Sequence, residues 1–194
     1  MGKTIAAMRV LKQRQMFALS ADSVRDMLRG ILKPFDSPAL FAIQELAQHE
    51  SRMATFLHKN PQQVLKMQND ESAIIWKSVN ELIISYLEDG QDVLVEGIEI
   101  LPRLIKEASY DFRAVFLGNS SSEHADNMVE YARTHSHDWM HKYARDSIDA
   151  WASFGHLFSE FIKVEARANE LPYVEINDAH FEQSLVEVER ILLA

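Results

Sequence analysis

Two patterns of apolar residues alternate along the chain. Short uninterrupted apolar runs predict buried β-strands, and longer segments in which apolar residues recur every three or four positions predict amphipathic helices. The runs predict four strands, at about residues 16–19, 92–96, 112–117 and 173–176. The recurring spacing predicts helices at about 4–14, 21–32, 37–49, 61–89, 123–133, 139–169 and 179–193. Because strands alternate with helices, we predict an α/β fold with a parallel sheet.

The run Val93-Leu94-Val95 ends in Glu96 and then Gly97. Ligands of open α/β sheets bind just beyond the carboxyl ends of the strands, so a carboxylate at this place faces a potential site. A glycine after it allows another part of the backbone to approach closely. We therefore predict that Glu96 faces a functional site.

The triplet Gly2-Lys3-Thr4 matches the last three positions of the phosphate-binding loop G-x-x-x-x-G-K-[ST]. In that loop the backbone amides and the lysine hold phosphates, and the hydroxyl binds Mg²⁺. The predicted helix that follows supplies an N-terminus, which is itself a site for anions. The earlier positions of the loop would precede Met1, so a chance occurrence of the triplet is the alternative interpretation.

Three polar positions lie in predicted helices. Asp22 and Arg25 are three residues apart in the helix predicted after the strand at 16–19, so they share a helix face. The alternative interpretation of this pair is a surface ion pair near a helix end. Gln68 lies in the long helix at 61–89, and we predict that it is exposed to solvent.

Composition and charge limit the possible functions. The chain has 194 residues, which suits one domain, and its 47% hydrophobic and 25% charged residues are ordinary for a soluble globular protein. A net charge of −9 argues against binding to nucleic acids or anionic membranes. The absence of cysteine excludes disulfides, zinc–thiolate sites and thiol catalysis. We find no signal peptide or membrane-spanning run in the sequence, so we expect a cytoplasmic protein.

Four motifs in this order carry a resemblance to a known family. They are Gly2-Lys3-Thr4 before a helix, Leu19-Ser20-Ala21-Asp22-Ser23-Val24-Arg25, the stretch at residues 93–102, and the apolar run at 112–119 that ends in glycine-asparagine. Together they resemble the P-loop small-molecule kinases, most closely the 2-phosphoglycerate kinase group. Glu99 stands where members of that group usually have a histidine.

The resemblance implies a P-loop NTPase-like three-layer sandwich, with a parallel sheet between helices, over residues 1–194. It implies ATP and Mg²⁺ as cofactors and a small, anionic hydroxyl compound as the acceptor. Gly2 and Lys3 would contact the nucleotide phosphates, and Thr4 would bind Mg²⁺. Glu96 would act on Mg²⁺ through water.

For the acceptor, the resemblance implies that Asp22 orients or deprotonates its hydroxyl and that Arg25 binds its acidic group. In such kinases a mobile lid supplies further arginines. Arg133 and Arg145 are the lid candidates, in a helical region around residues 133–146. The alternative interpretation is that both arginines are solvated residues at helix ends.

In this family the first strand lies at the centre of the sheet, before the phosphate loop. The resemblance therefore implies that the chain begins after that strand, through truncation or a misplaced start codon, and that its activity is impaired. The strands at 92–96 and 112–117 would then lie nearly 10 Å apart, since neighbouring strands are about 4.8 Å apart. Either a gap persists between them or they collapse together.

Two other functions remain open. His135, His137, Asp138 and His141 cluster in the sequence, and His137 and His141 would lie one turn apart on a helix face, where they could bind a divalent metal in a helical protein. Alternatively, the chain is a non-catalytic relic of a kinase that acts as a binding or regulatory module. The sequence leaves the oligomeric state open.

Overall fold

The computed structural model describes residues 2–121 and 124–194 and shows a mixed helix and strand fold. Its helices are α1 Gly2–Gln13, α2 Ala21–Ile31, α3 Pro38–Ala47, α4 Glu50–Lys59, α5 Pro61–Glu88, α6 Pro102–Lys106, α7 His124–Thr134, α8 Arg145–Ala168 and α9 Phe181–Leu193. Its strands are β1 Phe17–Ser20, β2 Val93–Glu96, β3 Phe116–Gly118 and β4 Tyr173–Glu175. Glu123, where we predict the start of a helix, lies outside the described residues.

The strands form two separate parallel pairs. β1 pairs with β2, with Phe17 opposite Val93, and β3 pairs with β4, with Phe116 opposite Tyr173. Within the described residues, no pairing joins β2 to β3. The predicted α/β class and the parallel direction of pairing are thereby confirmed.

A cavity of about 1140 Å³ lies between the two pairs of strands, and we refer to it as the inter-sheet cavity. Residues of β2 and β3 line its sides, among them Val95 and Leu117. Helices α1 and α9 contribute to its lining, as do α5 and α8. For the strands at 92–96 and 112–117 we considered either a persistent gap or collapse onto each other. The structure shows the gap.

Several predicted boundaries differ from the structure. β3 is shorter than the predicted strand at 112–117, because residues 111–115 form no ladder. The predicted helix at 139–169 begins only at Arg145, since residues 136–142 form turns. One of these turns is held by the Asp138 carboxylate, which accepts a hydrogen bond from the Met140 amide at 2.8 Å. Helix α4, between the predicted helices at 37–49 and 61–89, was not predicted.

Helix α5 supplies the longest buried stripe of the fold. Val64, Ile75 and Val79 on this stripe are fully buried. The prediction that Gln68 is exposed to solvent is wrong, because its side chain lies on the same stripe with 6% exposure. Its amide nitrogen has the Ser72 hydroxyl as a partner at 3.5 Å.

Replacement of Gly97 by alanine is expected to destabilise the protein by about 1–3 kcal/mol, the usual cost of overpacking. A Cβ atom at Gly97 would lie 2.5 Å from the Ala21 Cβ and 2.8 Å from a carboxylate oxygen of Glu99. Urea unfolding measures the change. Gly30→Ala in α2 is the control, because its Cβ would meet no atom within 4 Å. It should stabilise the helix by up to about 1 kcal/mol. Equal stability of the two variants would contradict this account of the β2–α2 contact.

Candidate functional site

The start of α1 lies at the carboxyl ends of β2 and β3. Gly2 is buried, and a Cβ placed on it would lie 3.6 Å from Ile176 and 3.7 Å from Leu117. The Thr4 hydroxyl donates to a carboxylate oxygen of Glu96 at 3.4 Å. Lys3 and Glu96 both line the inter-sheet cavity. The structure thus brings together the predicted phosphate-binding triplet and the predicted carboxylate.

Helix α1 packs against α9 through the buried residues Ala6, Leu185 and Val188, and ion pairs lie beside this apolar contact. The Arg9 guanidinium lies 2.5 Å from Glu182 and 3.2 Å from Glu189. The Gln13 amide donates to Glu189 at 2.7 Å. These contacts hold the far turns of the helix, so its N-terminus stays directed at the cavity.

A second cluster forms around Arg25, at the start of α2. Its guanidinium lies 2.5 Å from the Asp22 carboxylate and 2.8 Å from the Glu99 carboxylate. The first contact joins neighbours on one helix face, as predicted, whereas the second spans 74 residues of sequence. Asp22 keeps 45% of its side chain exposed. Asp22 and Arg25 therefore form a charged group that solvent can reach from the Asp22 side.

Glu99 is the buried member of this second cluster. Its side chain has 0% exposure, and its second carboxylate oxygen, Oε2, has no hydrogen-bond partner among the described residues. Burial, together with the nearby charge of Asp22, raises the pKa of Glu99 to about 7, although Arg25 opposes the shift. Glu99 therefore takes up a proton near neutral pH.

Beside this cluster, Arg29 of α2 pairs with Glu71 of α5 at 2.6 Å. Arg29 also donates to the backbone carbonyl of Leu40 at 2.9 Å, so it joins three helices. The Glu71 side chain is 3% exposed, and burial raises its pKa despite the attraction of Arg29. Nothing in our sequence analysis anticipated this pair.

The loop after β2 joins the two candidate clusters. Glu96 ends the strand and faces Thr4, and Glu99, three residues later, faces Arg25. Between them, Gly97 packs against Ala21 at the start of α2. A hydroxyl and a carboxylate are oxygen ligands of the kind that Mg²⁺ prefers, so Thr4 and Glu96 could hold such an ion.

A third polar group, which sequence reasoning missed, lies where β3 and β4 end. The Asp178 carboxylate accepts 2.9 Å hydrogen bonds from the side-chain amides of Asn119 and Asn127, and His124 lies 3.5 Å away. Burial alone would raise the pKa of Asp178, but these hydrogen bonds hold it below its usual value. Burial lowers the pKa of His124. All four residues line the inter-sheet cavity.

The predicted lid arginines are not part of these clusters. Arg133 is exposed at the end of α7. Arg145 begins α8, where it pairs with Asp126 at 2.7 Å and Asp149 at 2.8 Å. Neither arginine lines the inter-sheet cavity.

The histidine cluster does not form the helix face on which a metal site was considered. His137 and His141 lie in the turns between α7 and α8, so the i, i+4 argument is wrong. The Nδ1 atom of His141 lies 2.7 Å from the backbone carbonyl oxygen of Ala132. The rings of His135 and Tyr131 stack with their centroids 3.9 Å apart. In the part of the chain that the structure describes, no three histidine or acidic side chains are arranged to hold a metal ion.

Comparison with known proteins gave no relatives for this chain. No protein-family model matches it, and neither a curated protein nor a solved structure does. Within residues 2–121 and 124–194, no helix has the length and apolar character required to cross a membrane.

Proposed function

We propose that this protein is an ATP-dependent phosphotransferase with a P-loop NTPase-like sandwich fold, which transfers a phosphoryl group to a hydroxyl of a small anionic compound. The observation that carries the proposal is the contact of Thr4 with Glu96 beside Lys3, at the N-terminus of α1. Phosphoryl transfer requires mainly positioning and compensation of negative charge, and these residues supply both.

In this proposal α1 binds the nucleotide phosphates. Its first amides and its dipole attract anions, and the Lys3 ammonium adds a full positive charge. The Thr4 hydroxyl binds Mg²⁺ directly, and Glu96 binds it through water. Gly2, which is buried at the start of this helix and has no side chain, would allow the phosphates to approach the backbone.

The acceptor binds at the second cluster. Asp22 orients or deprotonates its hydroxyl, because this carboxylate is the exposed partner of Arg25. Arg25 binds the acidic group of the acceptor, and protonation of Glu99 near neutral pH frees part of the arginine charge for that contact. Arg133 and Arg145 lie outside the inter-sheet cavity and would reach the phosphates only if the end of α7 and the start of α8 moved.

The proposal is tested on the 194-residue chain with Mg-ATP. We expect weak binding, with a dissociation constant in the millimolar range, which corresponds to a binding free energy of about −4 kcal/mol. The reason is that the gap beside α1 leaves Lys3 without a complete set of backbone amides around the phosphates. Amide NMR shifts should change first at the start of α1. Lys3→Ala should weaken binding by at least about tenfold, as expected for loss of a charge-assisted contact of about 1.5–3 kcal/mol.

Lys12→Ala is the matched control, since Lys12 lies in the last turn of the same helix. It should bind Mg-ATP as the unmodified chain does. Transfer of labelled γ-phosphate to 2-phosphoglycerate should be slow in the unmodified chain and undetectable in Lys3→Ala. Equal phosphate transfer by the unmodified chain and Lys3→Ala would contradict the proposal. Micromolar binding of Mg-ATP by the unmodified chain would show that the backbone amides around the phosphates are complete.

A further inference from the structure

Helix α2 carries apolar residues on two opposite sides. Ala21 and Val24 are buried on its inner side, and Leu28 packs against the same core. Met27 and Ile31 lie four residues apart on the outer side and are 51% and 71% exposed. Helices that are apolar on both sides are typically covered on both sides, but the described part of this chain covers only the inner side of α2.

The outer side of α2 continues into the turn that follows the helix. α2 ends at Ile31, and Phe35 in this turn is 93% exposed. Gly30 is also exposed, and a Cβ atom placed on it would meet no atom within 4 Å. We refer to Met27, Gly30, Ile31 and Phe35 as the α2 surface. Exposed apolar surfaces with polar residues around them mark sites of protein–protein contact.

Charged residues of opposite sign lie on the two sides of Gly30 along the chain. Asp26 precedes it, and its side chain is 70% exposed despite contacts with Arg25 at 3.3 Å and Arg29 at 4.0 Å. Lys33 follows it, is exposed, and forms no ion pair with a described residue. Asp26 and Lys33 are seven residues apart, so Gly30 lies close to the midpoint between the two charges.

This arrangement makes the α2 surface complementary to itself. A second copy of the chain, related by a two-fold axis that passes close to Gly30, places its α2 antiparallel to the first. Asp26 then faces the partner's Lys33, and the same contact occurs a second time with the copies exchanged. Met27 and Ile31 meet in the same reciprocal way, and the missing side chain of Gly30 lets the two helices approach closely where they cross. A parallel arrangement would bring like charges together.

Other charges limit the strength of this contact. Asp22 precedes the α2 surface and Asp36 follows it, and the net charge of −9 makes two copies repel each other at longer distances. A stable interface uses about 20–30 residues from each partner, and the α2 surface offers fewer. We therefore expect a dissociation constant in the micromolar range.

We propose that this protein forms a two-fold symmetric dimer in which the α2 surfaces of two copies pack antiparallel across Gly30. The occupant of this surface is a second copy, because the chain itself supplies the opposite charge at each end of the contact. The contact includes none of Lys3, Thr4 and Glu96, so the inference is independent of the proposed function.

Sedimentation equilibrium of the 194-residue chain measures the association. The mass should rise from 22.3 kDa towards twice that value, with a dissociation constant of about 10–100 μM. Ile31→Lys places like charges within the apolar contact and should weaken the dimer at least about tenfold. Val186→Lys is the matched control, because Val186 of α9 is 60% exposed and lies outside the α2 surface. It should dimerise as the unmodified chain does.

Exchange of the two charges tests the antiparallel arrangement. Asp26→Lys and Lys33→Asp should each weaken the dimer at least about tenfold, because like charges then meet twice. An equimolar mixture of these two variants should form a heterodimer, in which lysine faces aspartate at both contacts. Three results would overturn the proposal: a mass of 22.3 kDa at every concentration up to about 1 mM, dimerisation of Ile31→Lys equal to that of the unmodified chain, or no heterodimer in the mixture.

Discussion

Arg29→Met is expected to destabilise the protein by about 3–5 kcal/mol, one of the largest effects that a single substitution should have in this chain. The change leaves the Glu71 carboxylate, with its side chain 3% exposed, without its partner at 2.6 Å. It also removes the hydrogen bond to the Leu40 carbonyl. Urea unfolding followed by tryptophan fluorescence measures the loss.

A double variant separates the cost of the unpaired charge from the value of the pair. In Arg29→Met/Glu71→Leu no buried charge remains, so most of the lost stability should return. Arg190→Met is the surface control, because the side chains of Arg190 and its partner Glu187 are 67% and 45% exposed. It should cost less than about 1 kcal/mol. If Arg29→Met also lost less than about 1 kcal/mol of stability, the buried pair would not be important for the fold.

The sequence predicts the helices and strands of this fold well where the local spacing of apolar residues determines them. α5, predicted at 61–89, is observed at Pro61–Glu88, because its apolar spacing is regular and Gly90 follows it. The helix predicted at 139–169 was wrong at its beginning, since α8 starts at Arg145. Trp139 lies in a turn outside α8, yet its ring packs edge-to-face on the ring of Trp151, with the centroids 5.4 Å apart. Aromatic residues can thus continue a core in space without continuing a helix.

The candidate site was predictable where motif or spacing brings residues together. Thr4 and Glu96 were predicted to act on one ion, and their side chains lie 3.4 Å apart. The burial of Glu99 was not predictable, because it follows from the packing of α2 against the loop after β2. Glu71 did carry a signal, since it lies on the apolar stripe of α5 together with Gln68. The partner of Glu71 is Arg29 of α2, whereas the partner of Gln68 is Ser72 of the same helix.

Glu99→Gln is expected to remove the contribution of Glu99 to the dependence of stability on pH between about 4.5 and 7. The ordinary pKa of a glutamate is 4.5, and in the folded protein burial and the neighbouring Asp22 raise the pKa of Glu99 to about 7. Between these values the folded state binds the proton more tightly than the unfolded state. The contribution of Glu99 to stability is therefore fully present below about pH 4.5 and is lost as the pH rises through 7.

The size of this pH effect follows from the shift, since each pKa unit corresponds to about 1.4 kcal/mol. Unmodified protein should lose about 3 kcal/mol from this group between pH 4.5 and 8.5, whereas Glu99→Gln, which cannot ionise, should not. Asp22→Asn is the second arm, because loss of a neighbouring negative charge lowers the pKa of Glu99 and should reduce the slope. Arg25 and Glu71 also face Glu99, and both remain in these variants. An unchanged slope in Glu99→Gln would show that Arg25 keeps Glu99 ionised, and the acceptor would then have to compete with two carboxylates for the same guanidinium.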